Sequence, residues 1–245
     1  MSDRAFKDSI PFHRLLLIRH GQVASHRGDV PLTDSAVESA FEVGSRLASE
    51  ARGELWVLCG GSLRTVQTAR AVAEGARSNG AVASDVKVAH ALRNPDLYLG
   101  GERVDMVSTT SDFASQVGSM DENAVESVPF FSEFVRAKDR IGFWLRYRNP
   151  PGEDASMVAH RVQAFAASLC DLGSKGPNLT VAVTHSPILR ACAMMTTRED
   201  PGEPDWLSGL EVRIPLDRSF ELGWSSWSAW AVPRPPSSHG FRRFH

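Results

Sequence analysis

The chain has 245 residues, of which 42% are hydrophobic, and its 27 Lys and Arg nearly balance its 29 Asp and Glu. This balance excludes a global electrostatic attraction to nucleic acid or to an anionic membrane, so an anionic ligand has to be held by a local pocket. The length and apolar content predict one domain over residues 1–245 with one sizeable core.

The cysteines and the N-terminal segment predict a cytoplasmic protein. Cys59, Cys170 and Cys192 are odd in number and lack the C-x-x-C spacing of metal or redox sites, which indicates reduced thiols. Residues 1–14 are polar, and the apolar run after them is too short for a signal-peptide core or a membrane span. We therefore expect a cytoplasmic protein that binds neither nucleic acid nor a membrane.

Four short apolar runs predict the strands of a mostly parallel sheet. They are "RLLLIRH" (14–20), "ELWVLCGG" (54–61), "VKVAHAL" (86–92) and "NLTVAVTHS" (178–186). Unbroken apolar runs are typical of strands covered on both faces. Three stretches between them have apolar residues at helical spacing: "LTDSAVESAFEVGSRLASEA", "SLRTVQTARAVAEGA" and "SMVAHRVQAFAASLCDLG". This alternation predicts a three-layer α/β/α sandwich.

Two later regions interrupt this alternation. Residues 111–150 are rich in aromatic residues and arginine and predict a helical insert over the sheet edge. The aromatic side chains of the insert fit the core, a homodimer interface or the wall of a pocket, and the sequence leaves these alternatives open. The C-terminal region predicts one or two late strands, followed by a flexible tail over about residues 233–245.

Basic and imidazole side chains follow three of the predicted strands. The first strand ends in Arg19 and His20, the second leads to Arg64, and the last ends in His185. Because the carboxyl ends of parallel strands meet at one edge of the sheet, we expect these four side chains to converge there. Guanidinium groups match phosphoryl oxygens, and a neutral imidazole between two cations is a nucleophile toward phosphorus. This pattern predicts a phosphoryl site that needs no metal and no other cofactor.

Five segments carry a family resemblance, and they occur in this order: "LLLIRHGQ", "PLTDSAVESA", "SLRTVQTARAVAE", "GEDASMVAHRV" and "VAVTHSPILRA". They resemble the successive motifs of the histidine phosphatase superfamily, also called phosphoglycerate mutase-like proteins, over about residues 14–195. The resemblance implies the phosphoglycerate mutase-like fold. It also implies a metal-independent phosphomonoester hydrolase that acts on a small-molecule phosphate ester through a phosphohistidine intermediate.

The resemblance implies a role for each residue of the pocket. Arg19 and Arg64 would clamp the phosphate. His20 would carry the phosphoryl group in the intermediate, and His185 would contact the transferred group. Further residues either line the pocket or satisfy loop backbone: Gln22, Ser25 and Ser186.

The chain departs from the family pattern at the proton donor. Family members usually place a glutamate after the third strand, where this chain has Asn94, and an amide does not act as an acid. We predict Asp96 as the general acid, because Pro95 turns the backbone and brings a short carboxylate back over the pocket. Glu102 and Glu153 are the alternative acids, and Glu153 is also predicted to line the pocket. As a further alternative, Asp96 only stabilises its own turn.

Two other functions compete with the hydrolase. A phosphoglycerate mutase-type phosphotransferase uses the same pocket, but the Leu-Asn-Glu-Arg-type stretch associated with mutases is missing. A catalytically weak, phosphate-binding regulatory protein would explain Asn94. The sequence does not name the physiological substrate.

Overall fold

The computed structural model describes residues 12–25, 28–169, 171, 173, 176–215 and 227–230. The strands are β1 (Phe12–Arg19), β2 (Glu54–Cys59), β3 (Val82–Ala83), β4 (Lys87–Val88), β5 (Leu97–Leu99), β6 (Glu102–Val104), β7 (Leu179–Thr184), β8 (Gly209–Pro215) and β9 (Trp227–Trp230). The helices are α1 (Asp34–Leu47), α2 (Leu63–Ser78), α3 (Thr110–Ala114), α4 (Glu122–Glu126), α5 (Pro129–Arg136), α6 (Arg140–Arg146), α7 (Ala155–Ser168) and α8 (Ser186–Thr197).

Within the described residues, the main sheet has seven strands in the order β3-β2-β7-β1-β8-β9, with β4 also paired to β2. β1, β2 and β7 run parallel to one another, as do β3 and β4 to β2, whereas β8 is antiparallel to β1 and β9 is antiparallel to β8. The predicted α/β fold with a mostly parallel sheet is confirmed. The prediction of a third strand over 86–92 is wrong beyond Val88, because residues 90–92 form a short 3-10 helix.

Successive residues of β1 face two separate layers of helices. Leu16 and Ile18 pack in a cluster with α1 and α2, whereas Leu15 and Leu17 pack in a cluster with α7, α8 and the helices of the insert. Because side chains alternate along a strand, β1 is buried on both faces, as its unbroken apolar run predicts. The arrangement is the predicted three-layer sandwich.

Helices α1 and α2 are in direct backbone contact. A Cβ atom added at Gly44 would lie 1.9 Å from the carbonyl oxygen of Val72, and one added at Gly75 would lie 2.0 Å from that of Phe41. Only glycine allows this approach, because any side chain at either position would overlap a carbonyl group. The close contact fixes α2, which carries Arg64, against the sheet.

The aromatic insert forms four helices, α3 to α6, that cover one face of the sheet. Its fully buried aromatic residues belong to the same cluster as Leu15 and Leu17, and they are Phe113, Phe131, Phe134 and Trp144. Of the alternatives left open by the sequence, core packing accounts for these four residues, and Phe134 also lines a cavity described below. The homodimer stays a prediction.

The two ends of the insert are joined by a backbone clasp between residues 96–98 and 151–153. The main-chain N–H of Tyr98 donates to the carbonyl of Pro151 at 2.7 Å, and that of Glu153 donates to the carbonyl of Asp96 at 2.8 Å. Gly152 lies between them with a φ of +135°, and a Cβ there would lie 2.1 Å from the carbonyl oxygen of Asp96. The clasp therefore requires glycine at this position.

The late strands predicted for the C-terminal region are confirmed as β8 and β9, and the predicted flexible tail at 233–245 lies outside the described residues. Cys59 and Cys192 are buried free thiols, as predicted, and Cys170 lies outside the described residues. Among the described helices, none is long and apolar enough to cross a membrane.

Candidate active site

The sheet register brings the two histidines together. β1 pairs with β7 so that Arg19 lies opposite Thr184, and the N–H of His20 donates to the carbonyl of Thr184 at 3.0 Å. His20 and His185 therefore follow their strands at the same level of the sheet. Their ring centroids are 5.4 Å apart with the rings edge to face, and both side chains are buried. The convergence expected from the parallel strands is present.

Hydrogen bonding and burial define the state of the two imidazoles. The Nδ1 atom of His20 lies 2.8 Å from the carbonyl oxygen of Gly21. Because a carbonyl only accepts, Nδ1 carries a proton, so in the neutral imidazole the lone pair is on Nε2. Burial holds the pKa of His185 well below its usual value, and the positive charge of Arg64 lowers it further. His185 is therefore neutral at physiological pH, with its Nε2 3.4 Å from the hydroxyl of Ser62.

Arg19 is held by the loop between α8 and β8, residues 198–208, called here the α8–β8 loop. Its Nη1 donates to the carbonyl of Pro204 at 2.6 Å, and its Nη2 lies 2.7 Å from Oε1 of Glu203. The guanidinium carbon lies 3.5 Å from the ring centre of Trp206, which is also 5.4 Å from the His20 ring. Burial lowers the pKa of Arg19, although Glu203 opposes this effect. An internal carboxylate thus occupies part of the predicted phosphate clamp.

Arg64 has weaker partners than Arg19. Its Nη1 lies 3.6 Å from Oδ1 of Asp29 and 3.4 Å from the carbonyl oxygen of Gly28, and its buried Nε has no hydrogen-bond partner among the described residues. Both oxygens of Asp29 also accept from the N–H of Leu63, which begins α2. Asp29 therefore serves mainly as a helix cap, and Arg64 retains donors for an anion.

The two histidines and the two arginines line a cavity of about 450 Å³. Four predicted catalytic residues and one predicted binding residue border it: Arg19, His20, Arg64, His185 and Ser186. A second cavity of about 700 Å³ adjoins the first, because both are lined by Arg64, Asn94 and His185. The buried amide oxygen of Asn94 has no hydrogen-bond partner among the described residues. The combined space accommodates a phosphate ester whose leaving group is larger than the phosphoryl group itself.

Asp96 does not line either of these cavities, which differs from the sequence prediction. Its carboxylate forms ion pairs with Arg93 and with Arg103, the latter at 2.6 Å. The hydrogen bond from Arg93 is the main cause that lowers the pKa of Asp96 to about 2. Such a carboxylate is a poor proton donor near neutral pH. The arrangement matches the alternative in which Asp96 stabilises its own turn.

Four other predicted residues also lie outside the two cavities. Glu153 pairs with Arg161 at 3.0 Å, and its Oε2 accepts from the N–H of Asp96 at 2.9 Å, so it belongs to the clasp. Glu102 is an exposed residue of β6. Gln22 and Ser25 are exposed next to β1, and the carbonyl of Gln22 accepts from Thr33. The local backbone structure explains where these four residues lie, so no ligand is needed to explain their positions.

The sequence reasoning missed Glu203 and Trp206. They lie in "REDPGEPDW", which has neither strand nor helix periodicity. The signal that reveals them is topological: β8 is antiparallel to β1 and begins with Gly209 opposite Ile18. The loop before β8 must therefore lie at the carboxyl end of β1, beside Arg19.

Comparisons with known proteins agree with this geometry. Residues 15–94 match the family model of the histidine phosphatase superfamily (branch 1). Phosphoglycerate mutase from Bacillus anthracis str. Sterne has a similar structure, with a TM-score of 0.55, 16% identity and coverage of 92% of this chain and 95% of that one. A mycobacterial glucosyl-3-phosphoglycerate phosphatase gives a TM-score of 0.55 at 17% identity, covering 89% and 97% of the two chains.

A third structure, described as mycobacterial hydrolase 2, gives a TM-score of 0.55 at 18% identity and covers 93% of this chain and 94% of its own. No curated protein matches the sequence significantly. The family match includes Arg19, His20 and Arg64, whereas His185 lies beyond the matched residues. The resemblance to the histidine phosphatase superfamily is confirmed by the match over residues 15–94, and the phosphoglycerate mutase-like fold is confirmed by the similar structures.

Proposed function

We propose that the protein is a metal-independent phosphomonoester hydrolase that transfers a phosphoryl group to His20 and then to water. The observation that carries the proposal is the convergence of two buried histidines and two arginines on one cavity. Two similar structures are named as a phosphoglycerate mutase and a glucosyl-3-phosphoglycerate phosphatase, which supports phosphate-ester chemistry on this fold. We further propose that this hydrolysis takes place in the cytoplasm and that the substrate is a small-molecule phosphate ester.

In the first step, Nε2 of His20 attacks phosphorus while the bond to the leaving oxygen breaks. The bond from Nδ1–H to the Gly21 carbonyl orients the imidazole and stabilises the cation that forms. Arg19 and Arg64 hold the phosphoryl oxygens during this in-line transfer. His185 is neutral and therefore contributes a ring N–H to the same oxygens without adding a full charge. Water attacks phospho-His20 in the second step and releases inorganic phosphate.

The leaving oxygen needs a proton, and Glu203 is the carboxyl group that we assign to this step. Among the described residues, the carboxylates that line the cavity with His20 are Asp139 and Glu203. Asp139 is ruled out because its hydrogen bonds with Arg190 hold its pKa at about 2. Glu203 contacts Arg19, and its Oε2 accepts from the hydroxyl of Ser186 at 2.5 Å.

Substrate binding changes the charges around Glu203. A phosphoryl dianion that takes over the donors of Arg19 removes the nearer of the two arginines that pair with Glu203, the other being Arg190 at 3.6 Å, and brings a like charge beside the carboxylate. The carboxyl group then donates its proton to the leaving oxygen. In the second step, the same carboxylate accepts a proton from the attacking water.

Hydrolysis of p-nitrophenyl phosphate in the presence of a chelator tests the proposed reaction. We expect turnover by the wild type, an acid-labile phosphate on His20 after a rapid quench, and loss of both in His20→Ala. His160→Ala is the matched control, because His160 is exposed on α7 and lies outside both cavities. Phosphate found on Ser62 would contradict the mechanism. Vanadate binding without turnover would instead favour the regulatory protein, and transfer to a sugar acid without release to water would favour the mutase.

A further inference from the structure

Arg190 is a buried arginine that joins three parts of the site. It lies on α8 with 1% of its side chain exposed, and it borders the cavity that contains His20. Its guanidinium donates two hydrogen bonds to Asp139, at 2.9 and 2.6 Å, and two to Asp200, at 2.9 and 2.5 Å. Asp139 belongs to the insert and Asp200 to the α8–β8 loop. Arg190 therefore connects the insert to the loop that carries Glu203.

The hydrogen bonds of Arg190 leave one N–H group for Glu203. A guanidinium has five N–H groups, and the two aspartates accept from four of them. The remaining N–H is on Nη1, the nitrogen that lies 3.6 Å from Oε2 of Glu203. This separation is too long for a hydrogen bond, whereas Arg19 lies 2.7 Å from Oε1 of the same carboxylate. Glu203 is thus paired with Arg19 and only approaches Arg190.

The positive charge of Arg190 is already shared by two carboxylates. Hydrogen bonds from Arg190 lower the pKa of Asp139 to about 2 and also lower the pKa of Asp200, so both are ionised at neutral pH. Arg146 lies 3.7 Å from Asp200, but its side chain is 65% exposed and contributes little. Glu203 would therefore be a third carboxylate beside a single buried cation.

We propose that Arg190 is a positioning residue for proton transfer: because two aspartates saturate it, it fixes the α8–β8 loop without holding Glu203 in the ionised form. This inference rests on the proposed function for the assignment of Glu203 as the proton donor. When a phosphoryl group occupies Arg19, the half-exposed Glu203 has no other cation with charge to spare. It takes up a proton from solvent and donates it to the leaving oxygen as the bond to phosphorus breaks. An unsaturated Arg190 would instead bind the released carboxylate and keep it ionised.

Asp139→Asn and Asp200→Asn test the proposal while Arg190 stays in place. Replacing Arg190 itself would remove the partner of two carboxylates and disturb the fold. An asparagine side chain retains the oxygen that accepts a backbone N–H at each of the two aspartate positions. Each variant removes one negative charge and one acceptor from the Arg190 guanidinium. The freed donor should then bind Glu203 and draw it away from Arg19.

Two measurements should move in opposite directions in these variants. Vanadate, titrated by calorimetry into the full-length protein, should bind about 3- to 10-fold more tightly, because Arg19 loses its internal carboxylate. The value of kcat for propyl phosphate should fall about 3- to 10-fold, because Glu203 stays ionised, whereas the burst of p-nitrophenol should change less than about twofold. A merely structural role of Arg190 would weaken vanadate binding and slow both esters together.

The same substitutions in the Glu203→Gln background show whether the effect passes through Glu203. There they should change vanadate affinity less than about twofold, since no carboxylate remains to move between the arginines. This background also corrects for the charge lost at Asp139, which borders the cavity itself. Asp85→Asn is the matched control, because Asp85 is an exposed carboxylate that pairs with Arg77 and lies outside both cavities.

The outcomes distinguish the two proposals. Unchanged or weaker vanadate binding in both aspartate variants, or a tightening that persists in the Glu203→Gln background, overturns the role of Arg190 whatever the turnover. An unchanged kcat for propyl phosphate in both variants of an active enzyme overturns it as well. Tighter vanadate binding that depends on Glu203, together with no hydrolysis of either ester by the wild type, overturns the proposed function and leaves the link between Arg190 and Glu203 in place.

Discussion

Two loops at the carboxyl edge of the sheet each pair a carboxylate with arginine, but the two carboxylates have different roles: Asp96 stabilises a turn, and we assign Glu203 as the proton donor. In the loop after the 3-10 helix, Asp96 is held between Arg93 and Arg103. In the α8–β8 loop, Glu203 is held by Arg19. Arg93 and Arg103 line the second cavity and not the one that contains His20, whereas Arg19 directly precedes His20 in the chain and lines the same cavity. The role of an ion-paired carboxylate therefore depends on what else its arginine binds: a phosphoryl group beside His20 competes directly for Arg19, the partner of Glu203.

The largest effect that sharpens this comparison is expected for Glu203→Gln. An alkyl phosphate needs a proton as its leaving oxygen departs, so kcat should fall about 10²- to 10⁴-fold, whereas p-nitrophenolate leaves with little assistance and its release should fall far less. Rapid-mixing kinetics with both esters measure the difference, and a burst of p-nitrophenol should precede slow dephosphorylation. Asp96→Asn is the matched control from the other loop. If Asp96→Asn instead shows the selective loss on the alkyl ester, the assignments of the two loops are reversed.

We expect a smaller effect from replacing Arg64, the second arginine that is predicted to clamp the phosphate. Arg64→Met should weaken the binding of vanadate about 10- to 100-fold, because a charge-assisted hydrogen bond contributes about 1.5 to 3 kcal/mol. Glu203→Gln should act in the opposite direction and tighten vanadate binding, since it removes the internal anion that occupies Arg19. Calorimetry measures both. Unchanged affinity in Arg64→Met would place Arg64 outside the anion site.

Substitution of Asp96 should instead change the stability of the fold. The pKa of Asp96 is lowered to about 2 from an ordinary value of 3.8, so its ion pairs stabilise the fold above the unfolded pKa, and this contribution is lost as pH falls from about 4 toward 2. Asp96→Asn should lower the free energy of unfolding at pH 7 by about 1 to 2 kcal/mol. Urea unfolding should show the gap between variant and wild type closing below pH 4. A gap independent of pH would contradict the role of the charge.

The smallest effect is expected at Trp206. Its ring stacks on the Arg19 guanidinium, and a partly buried cation–π contact contributes about 1 kcal/mol. Trp206→Leu should therefore lower kcat/KM for p-nitrophenyl phosphate only about fivefold, by loosening Arg19. A loss as large as that of Arg64→Met would mean that Trp206 contacts the substrate itself.

The sequence predicted those parts of the site that depend on parallel strands. The apolar runs that end in Arg19-His20 and Thr184-His185 are enough to place both histidines, because each histidine directly follows its strand and the carboxyl ends of parallel strands meet at one edge of the sheet. The position of Asp96 could not be predicted, since it depends on which of several nearby arginines reach it. The position of Glu203 depends on the antiparallel strand β8, and the alternation of apolar and polar residues does not show which strand β8 pairs with.

The clasp at Gly152 has a consequence for how this chain can vary. Because Leu97 and Gly152 form an antiparallel bridge with a backbone hydrogen bond on either side, the 54 residues between them begin and end at one point of the fold. The entropic cost of closing such an excursion grows only slowly with its length. A segment of different length and sequence between Leu97 and Gly152 would therefore leave the phosphoryl site in place, provided that it still covers Leu15 and Leu17 with apolar side chains.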